Sequence, residues 1–200
     1  MSMRTAALGE DVFVASVFKI SPLVRGALWS LYIALMLPLP FLARLNGTTD
    51  PQMAFQDSIL WLGLALISGG VLLHMALSEQ VHLNELGIAV CYPWWVPTPL
   101  RRDWALDWAD IEDFKARSTG QGGLVYYLVS KERNGFLLPM RIVGFHRMLK
   151  LIQIKTGIDT QDVKPLAQPW MYAALLGVAG LLAIADFWVI YTVLTLPVGV

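Results

Sequence analysis

The chain has 200 residues, of which 56% are hydrophobic and 15% charged, with eight tryptophans; a soluble domain carries about a quarter charged residues, so the composition points to a membrane protein. Fifteen basic and fifteen acidic side chains cancel, and without a Lys/Arg run or an interleaved aromatic strip no nucleic-acid partner is expected. The single cysteine, Cys91, excludes an internal disulfide and any multi-cysteine zinc or iron-sulfur site.

The first 25 residues carry Glu10 and Asp11 ahead of a short apolar run and lack the ordered regions of a secretory signal. The run at 12–18 fits either the membrane interface or an extra strand of the middle domain. Uncharged apolar stretches follow at 26–43, 58–78 and 165–185, each close to the ~20 residues that cross a ~30 Å hydrocarbon core. Pro38 and Pro40 are expected to kink or end the first helix. The predicted organisation is an interfacial segment at 1–25, a transmembrane hairpin at 26–78, a β-rich domain at 79–164 and a last span within 165–200. The expected class is an α+β membrane protein with three transmembrane helices, two before and one after the β-rich domain.

Basic residues set the expected orientation. Arg4, Lys19 and Arg25 precede the first span, Arg44 alone separates the first two, and eleven lie from Arg101 to Lys164. Two crossings return the chain to its starting side, which then holds fourteen of the fifteen basic residues and is predicted to be cytoplasmic, in a plasma or thylakoid membrane. The 44–57 loop, with turn-forming Asn46-Gly47 and Asp50-Pro51, and the C-terminus face the other compartment.

Ala173, Gly177 and Gly180 share one face of the last span, and Gly63, Gly70 and His74 share one face of the second. These small residues predict close packing in a compact three-helix bundle, or docking on another subunit. His74 is expected to hydrogen-bond between helices. A neutral imidazole also suits a pigment or haem, but a bis-histidine haem needs a second histidine at depth, and His82 and His146 fall in the middle domain. No cofactor is therefore predicted. Asp186 lies ~24 Å along the helix from Trp170, opposite the small residues, and is expected near the far interface.

From Glu79 the hydrophobic period falls to about two. Strands are predicted at 81–83, 88–92, 104–108, 114–117, 124–130 and 136–142, with a turn at Asn134-Gly135, then an amphipathic helix with Phe145, Met148, Leu149 and Ile152 inward and Gly157 as its C-cap. The opening Asn84-Glu85-Leu86-Gly87-Ile88, the Trp108-Ala109-Asp110-Ile111 step and the 136–150 close carry a resemblance. Residues 79 to about 157 resemble the bacterial pleckstrin-homology-like domains of small membrane proteins. A transmembrane hairpin followed by such a domain is also similar to the photosystem I assembly factor family of cyanobacteria and chloroplasts, from which this chain departs by its third span. That resemblance implies an assembly role in a photosynthetic membrane.

Between the second and third predicted strands, Tyr92, Trp94, Trp95, Arg101 and Arg102 sit with three prolines at a hairpin tip. Exposed Trp beside Arg suits a headgroup layer or a protein partner, whereas a buried Trp would plug the end of the domain. Asp103, Asp107, Asp110, Glu112 and Asp113 cluster in sequence without the spacing of a calcium loop, so no metal is predicted. No catalytic constellation is present in the sequence. The expected function is a non-enzymatic membrane scaffold, an assembly or auxiliary factor of a larger membrane protein complex. A lipid- or ligand-sensing module is the alternative, and a minor transporter component is disfavoured by the scarcity of intramembrane polar groups.

Overall fold

The computed structural model describes residues 15–45, 51–120, 123–160, 163 and 169–195. The expected Asn46-Gly47 turn lies outside them. In chain order the elements are β1 (Ser16–Lys19), α1 (Pro22–Met36), α2 (Leu39–Leu45), α3 (Pro51–Ala76), β2 (Gln80–Leu83), β3 (Gly87–Cys91), β4 (Trp104–Asp107), β5 (Ile111–Ser118), β6 (Leu124–Ser130), β7 (Gly135–Leu137), α4 (Phe145–Thr156) and α5 (Pro169–Thr195). The class is mixed α+β. The chain divides into two compact units, Met1–Ile20 with Ser78–Leu166, and Ser21–Leu77 with Ala167–Val200.

The first unit holds two antiparallel meanders, β1-β2-β3-β4 and β5-β6-β7. Alternation explains them: Val81, Leu83, Ile88 and Val90 point inward and are buried, as are Tyr126, Leu128 and Ser130 on β6. α4 closes the core with Phe145, Met148, Leu149 and Ile152, between Gly144 at φ +76° and Gly157 at φ +72°. Asn84 Oδ1 accepts from the amides of Leu86 at 3.0 Å and Gly87 at 2.8 Å and so shapes the β2–β3 turn.

Of the two placements open for the run at 12–18, the structure builds Ser16–Lys19 as an edge strand, with Phe18 opposite Val81. The sheet unit therefore draws on residues far upstream of position 79. A bridge between Ile20 and Ile142 and a hydrogen bond from the Val143 amide to the Lys19 carbonyl at 2.9 Å join β1 to the segment after β7. β7 is shorter than the predicted 136–142. Leu138 still donates to the Tyr126 carbonyl at 2.9 Å, but Pro139 has no amide to continue the ladder. The turn also differs from the expected one: the left-handed residue is Arg133, at φ +66°, and Gly135 opens the strand.

In the second unit, α1 ends before Pro38, and α2 starts at Leu39. Neither Pro38 nor Pro40 supplies an amide; Pro38 cannot continue α1, whereas Pro40 falls in the first turn of α2, where a proline is tolerated. Trp29 and Tyr32 rest on the glycines of α3: a Cβ on Gly70 would lie 3.5 Å from the Trp29 ring, and the Tyr32 hydroxyl donates to the Leu66 carbonyl at 2.5 Å. Arg25 reaches the Leu77 carbonyl at 3.0 Å. α1 packs on α5 as well.

Among the described residues, two helical stretches are long and apolar enough to cross a membrane, Pro22–Leu42, which runs from α1 into α2, and Trp170–Thr195; the described apolar part of α3, Leu60–Ala76, is shorter. α5 continues well past the expected end at 185. A single aspartate weakens hydropathy but leaves the backbone ladder intact, so the helix runs through Asp186.

Candidate functional site

The loop from Tyr92 to Asp103 joins β3 to β4 and is braced at several points. At its base the Tyr92 amide donates to Asp103 Oδ1 at 2.8 Å. Pro93 begins a turn closed by the Val96 amide at 3.0 Å, and Thr98–Leu100 forms a 3-10 turn closed by the Leu100 amide on the Pro97 carbonyl at 3.0 Å. Prolines fix φ at these corners without costing a ladder bond. Arg101 then reaches back across the loop, donating from Nε to the Val96 carbonyl at 2.5 Å and from Nη2 to the Trp94 carbonyl.

Side chains divide accordingly. Val96 is 1% exposed, whereas Trp94 is 87% exposed and Trp95 38%. Arg102 is exposed. The two arginines singled out together in the sequence thus do different work, since Arg101 is occupied by loop carbonyls and Arg102 stays at the surface. Burial pushes the Tyr92 hydroxyl above its usual value, Glu79 and Asp103 raise it further, and Arg102 opposes them. Burial and Asp103 likewise raise the Cys91 thiol, which disfavours a reactive thiolate.

A second site was not legible in the sequence. The outer face of β5–β6–β7 carries a cleft of about 790 Å³ lined by Glu112, Asp113, Lys115, Arg117, Tyr127 and Arg133. Register builds it: Lys115 lies opposite Tyr127 and Asp113 opposite Val129, so these side chains share one face. The Arg117 guanidinium stands 5.8 Å from the centre of the Tyr127 ring. Lys115 pairs with Asp113 at 3.5 Å, an exposed contact of small energetic weight. The Lys131 amide bonds the Asp110 carbonyl at 2.9 Å, and Trp108 bonds the Leu86 and Asn84 carbonyls at 3.0 and 2.9 Å. The Arg133 turn therefore sits by the β2–β3 turn, at the sheet end opposite the Tyr92–Asp103 loop.

The acidic residues are dispersed, with Asp103 at the loop base and Asp107 at the far end of β4, and among the described residues no group of three or more His, Cys, Asp or Glu assembles. In the helical unit the Trp29 ring lies 6.3 Å from the His74 imidazole. The small residues behave unequally. Gly70 packs on Trp29, whereas a Cβ on Gly63, Gly177 or Gly180 would meet nothing within 4 Å among the described residues, and Ala173 is exposed. The inward face of α5 instead carries Ala179 and Val193, buried at 2% and 5%. Asp186 lies midway on that face at seven-residue spacing. Its Oδ2 is enclosed and without a hydrogen-bond partner among the described residues. The helix runs on from Asp186 to Thr195, ~13 Å at 1.5 Å per residue, so Asp186 is interior to the helix rather than at its far end.

The uncharacterized protein slr0269 of Synechocystis sp. (strain ATCC 27184 / PCC 6803 / Kazusa) is 51% identical to the chain over 161 residues, which cover 80% of this chain and 78% of that protein. The chain belongs to the family of that protein. No family model matches the chain, and no solved structure matches it.

Proposed function

We propose that this chain is a non-enzymatic, membrane-anchored scaffold, an assembly or auxiliary factor that holds part of a larger membrane protein complex. The observation that carries this reading is the cleft on β5–β6–β7. It places Arg117, Arg133 and Glu112, none with an ion pair among the described residues, around Tyr127 on an open face. Charges of both signs beside an aromatic ring suit the mixed surface of a protein partner better than a single small anion. In this account the helices α1, α3 and α5 cross the membrane, and the N-terminus and sheet unit lie on the cytoplasmic side. Two meanders closed by one helix are consistent with a pleckstrin-homology-like domain. The cyanobacterial relative and the resemblance to photosystem I assembly factors favour a photosynthetic membrane.

Purification of the full chain in mild detergent should recover a membrane protein partner in stoichiometric amount. Arg117→Glu with Arg133→Glu should reduce that recovery at least tenfold while leaving the thermal midpoint unchanged, because both side chains are exposed. Recovery of the chain alone, or equal recovery with the double variant, contradicts the reading.

A second reading, ligand sensing, is favoured by the Arg117–Tyr127 stack, which presents a guanidinium above a ring. It predicts saturable binding of an anionic small molecule by the partner-free chain, lost in the same double variant.

A further inference from the structure

The Tyr92–Asp103 loop shares one end of the first sheet with two of the three covalent links to the apolar helices, those at Ile20–Ser21 and Leu77–Ser78. Lys19 pairs with Gln80 and Gln80 with Cys91, so the last residue of β1, the first of β2 and the last of β3 form one row. That row is about 10 Å across, two strand spacings. From it the chain passes through Ile20 and Ser21 into α1 at Pro22, and it arrives there from α3, which ends at Ala76. Tyr92 follows Cys91 directly. The opposite end of the sheet holds the Asn84–Leu86 turn.

A span that begins at Pro22 sets the boundary between water and lipid within a few residues of Lys19. The loop carries what that boundary selects. Trp94 offers a ring for the acyl edge and an N–H for the headgroups, Leu100 is exposed in the same loop, and Lys19, Arg102 and Arg141 are exposed cations at the same end. Leu86 is 75% exposed at the other end, but the tryptophan there, Trp108, is only 8% exposed and bonded to the Asn84 carbonyl, so that end offers no free indole to lipid. The Arg101 clamp holds the loop in one shape before any contact, which lowers the ordering cost of insertion.

We propose that the Tyr92–Asp103 loop is an additional attachment of the chain to its own membrane, with Trp94 seated among the lipid headgroups and Arg102 on lipid phosphates. This inference rests on α1 being a membrane span and is independent of the scaffold reading.

The test uses the full chain with Cys91→Ser and Thr98→Cys, the new thiol carrying an environment-sensitive fluorophore, in phosphatidylcholine–phosphatidylglycerol vesicles with and without a lipid spin-labelled near its headgroup. A companion protein carries the same probe through Leu86→Cys. The probe at 98 is expected to be quenched by the spin-labelled lipid and shielded from an aqueous quencher, and the probe at 86 to show the reverse. Adding Trp94→Ala should abolish most of the quenching at 98 with the thermal midpoint unchanged. A probe at 98 as open to water as the probe at 86 overturns the proposal and directs the tip to a protein partner. Equal lipid quenching at both positions overturns it too, because the unit would then lie on its side. Alkaline extraction of the same vesicles separates failure of the loop from failure of the spans.

Discussion

Arg101 donates through Nε to the Val96 carbonyl at 2.5 Å, and the residue it grips is buried, at 1% exposure. The same guanidinium holds the Trp94 carbonyl. One planar fork thus ties a buried anchor to an exposed indole. Arg101→Ala should raise amide exchange across Trp94–Leu100 and cost about 1 to 2 kcal/mol, since bonds to a charged group exceed neutral ones. Arg101→Lys should recover little, because an ammonium lacks the fork. Hydrogen exchange in detergent measures both, and wild-type protection in Arg101→Ala would contradict the clamp.

The tryptophans should separate by stability. Trp94→Ala is expected to change unfolding free energy by less than about 0.5 kcal/mol, as an exposed side chain does. Trp108, 8% exposed and donating from Nε1 to the Asn84 carbonyl at 2.9 Å, should cost about 3 to 5 kcal/mol on truncation to Ala. Denaturant unfolding of the two variants checks this, and comparable losses would contradict the assignment of Trp94 as a surface group.

Gly87 admits no side chain. A Cβ there would lie 2.3 Å from the Leu106 carbonyl oxygen, an atom of the neighbouring strand that cannot move without disturbing the β3–β4 ladder. Gly87→Ala should destabilise the sheet unit by at least about 1 to 3 kcal/mol. A neutral effect on the thermal midpoint would show that the two strands lie further apart than the structure has them.

Burial pushes the Glu79 carboxyl above its usual 4.5, and Arg141 only partly opposes that. The folded chain then keeps a proton that the unfolded chain has released, so this group's stabilising contribution is complete below pH 4.5 and is lost as pH rises through the raised folded value. Glu79→Gln, which cannot ionise, should unfold like the wild type in acid and become the more stable protein as pH rises to neutrality. Thermal midpoints across pH test it, and a glutamine variant that loses stability relative to wild type at neutral pH would contradict the sign.

Period-two alternation made β2, β3, β4 and β6 legible in the sequence, and the apolar face before Gly157 made α4 so. β1 was not decidable, because its partner Gln80–Leu83 lies some sixty residues away and Ser16–Lys19 has no pattern strong enough to demand it. β7 and α5 were misjudged at their ends for opposite reasons: Pro139 stops a ladder inside an apolar run, whereas Asp186 does not stop a helix inside one. At the loop, aromatic and basic residues stood out, but which arginine faces outward depends on turn geometry that composition does not carry. The cleft was invisible because Lys115, Tyr127 and Arg133 meet only through the register of three strands and the turn before β7.

The account stands most directly on the second crossing, which brings the sheet unit back to the side of the N-terminus. Reporter fusions after residue 47 and after Gly135, in otherwise intact chains, measure it. The account predicts opposite sides, with Gly135 cytoplasmic or stromal. Both reporters on one side would remove the α3 span, and with it the placement of the Trp94 loop and the cleft on the cytoplasmic face.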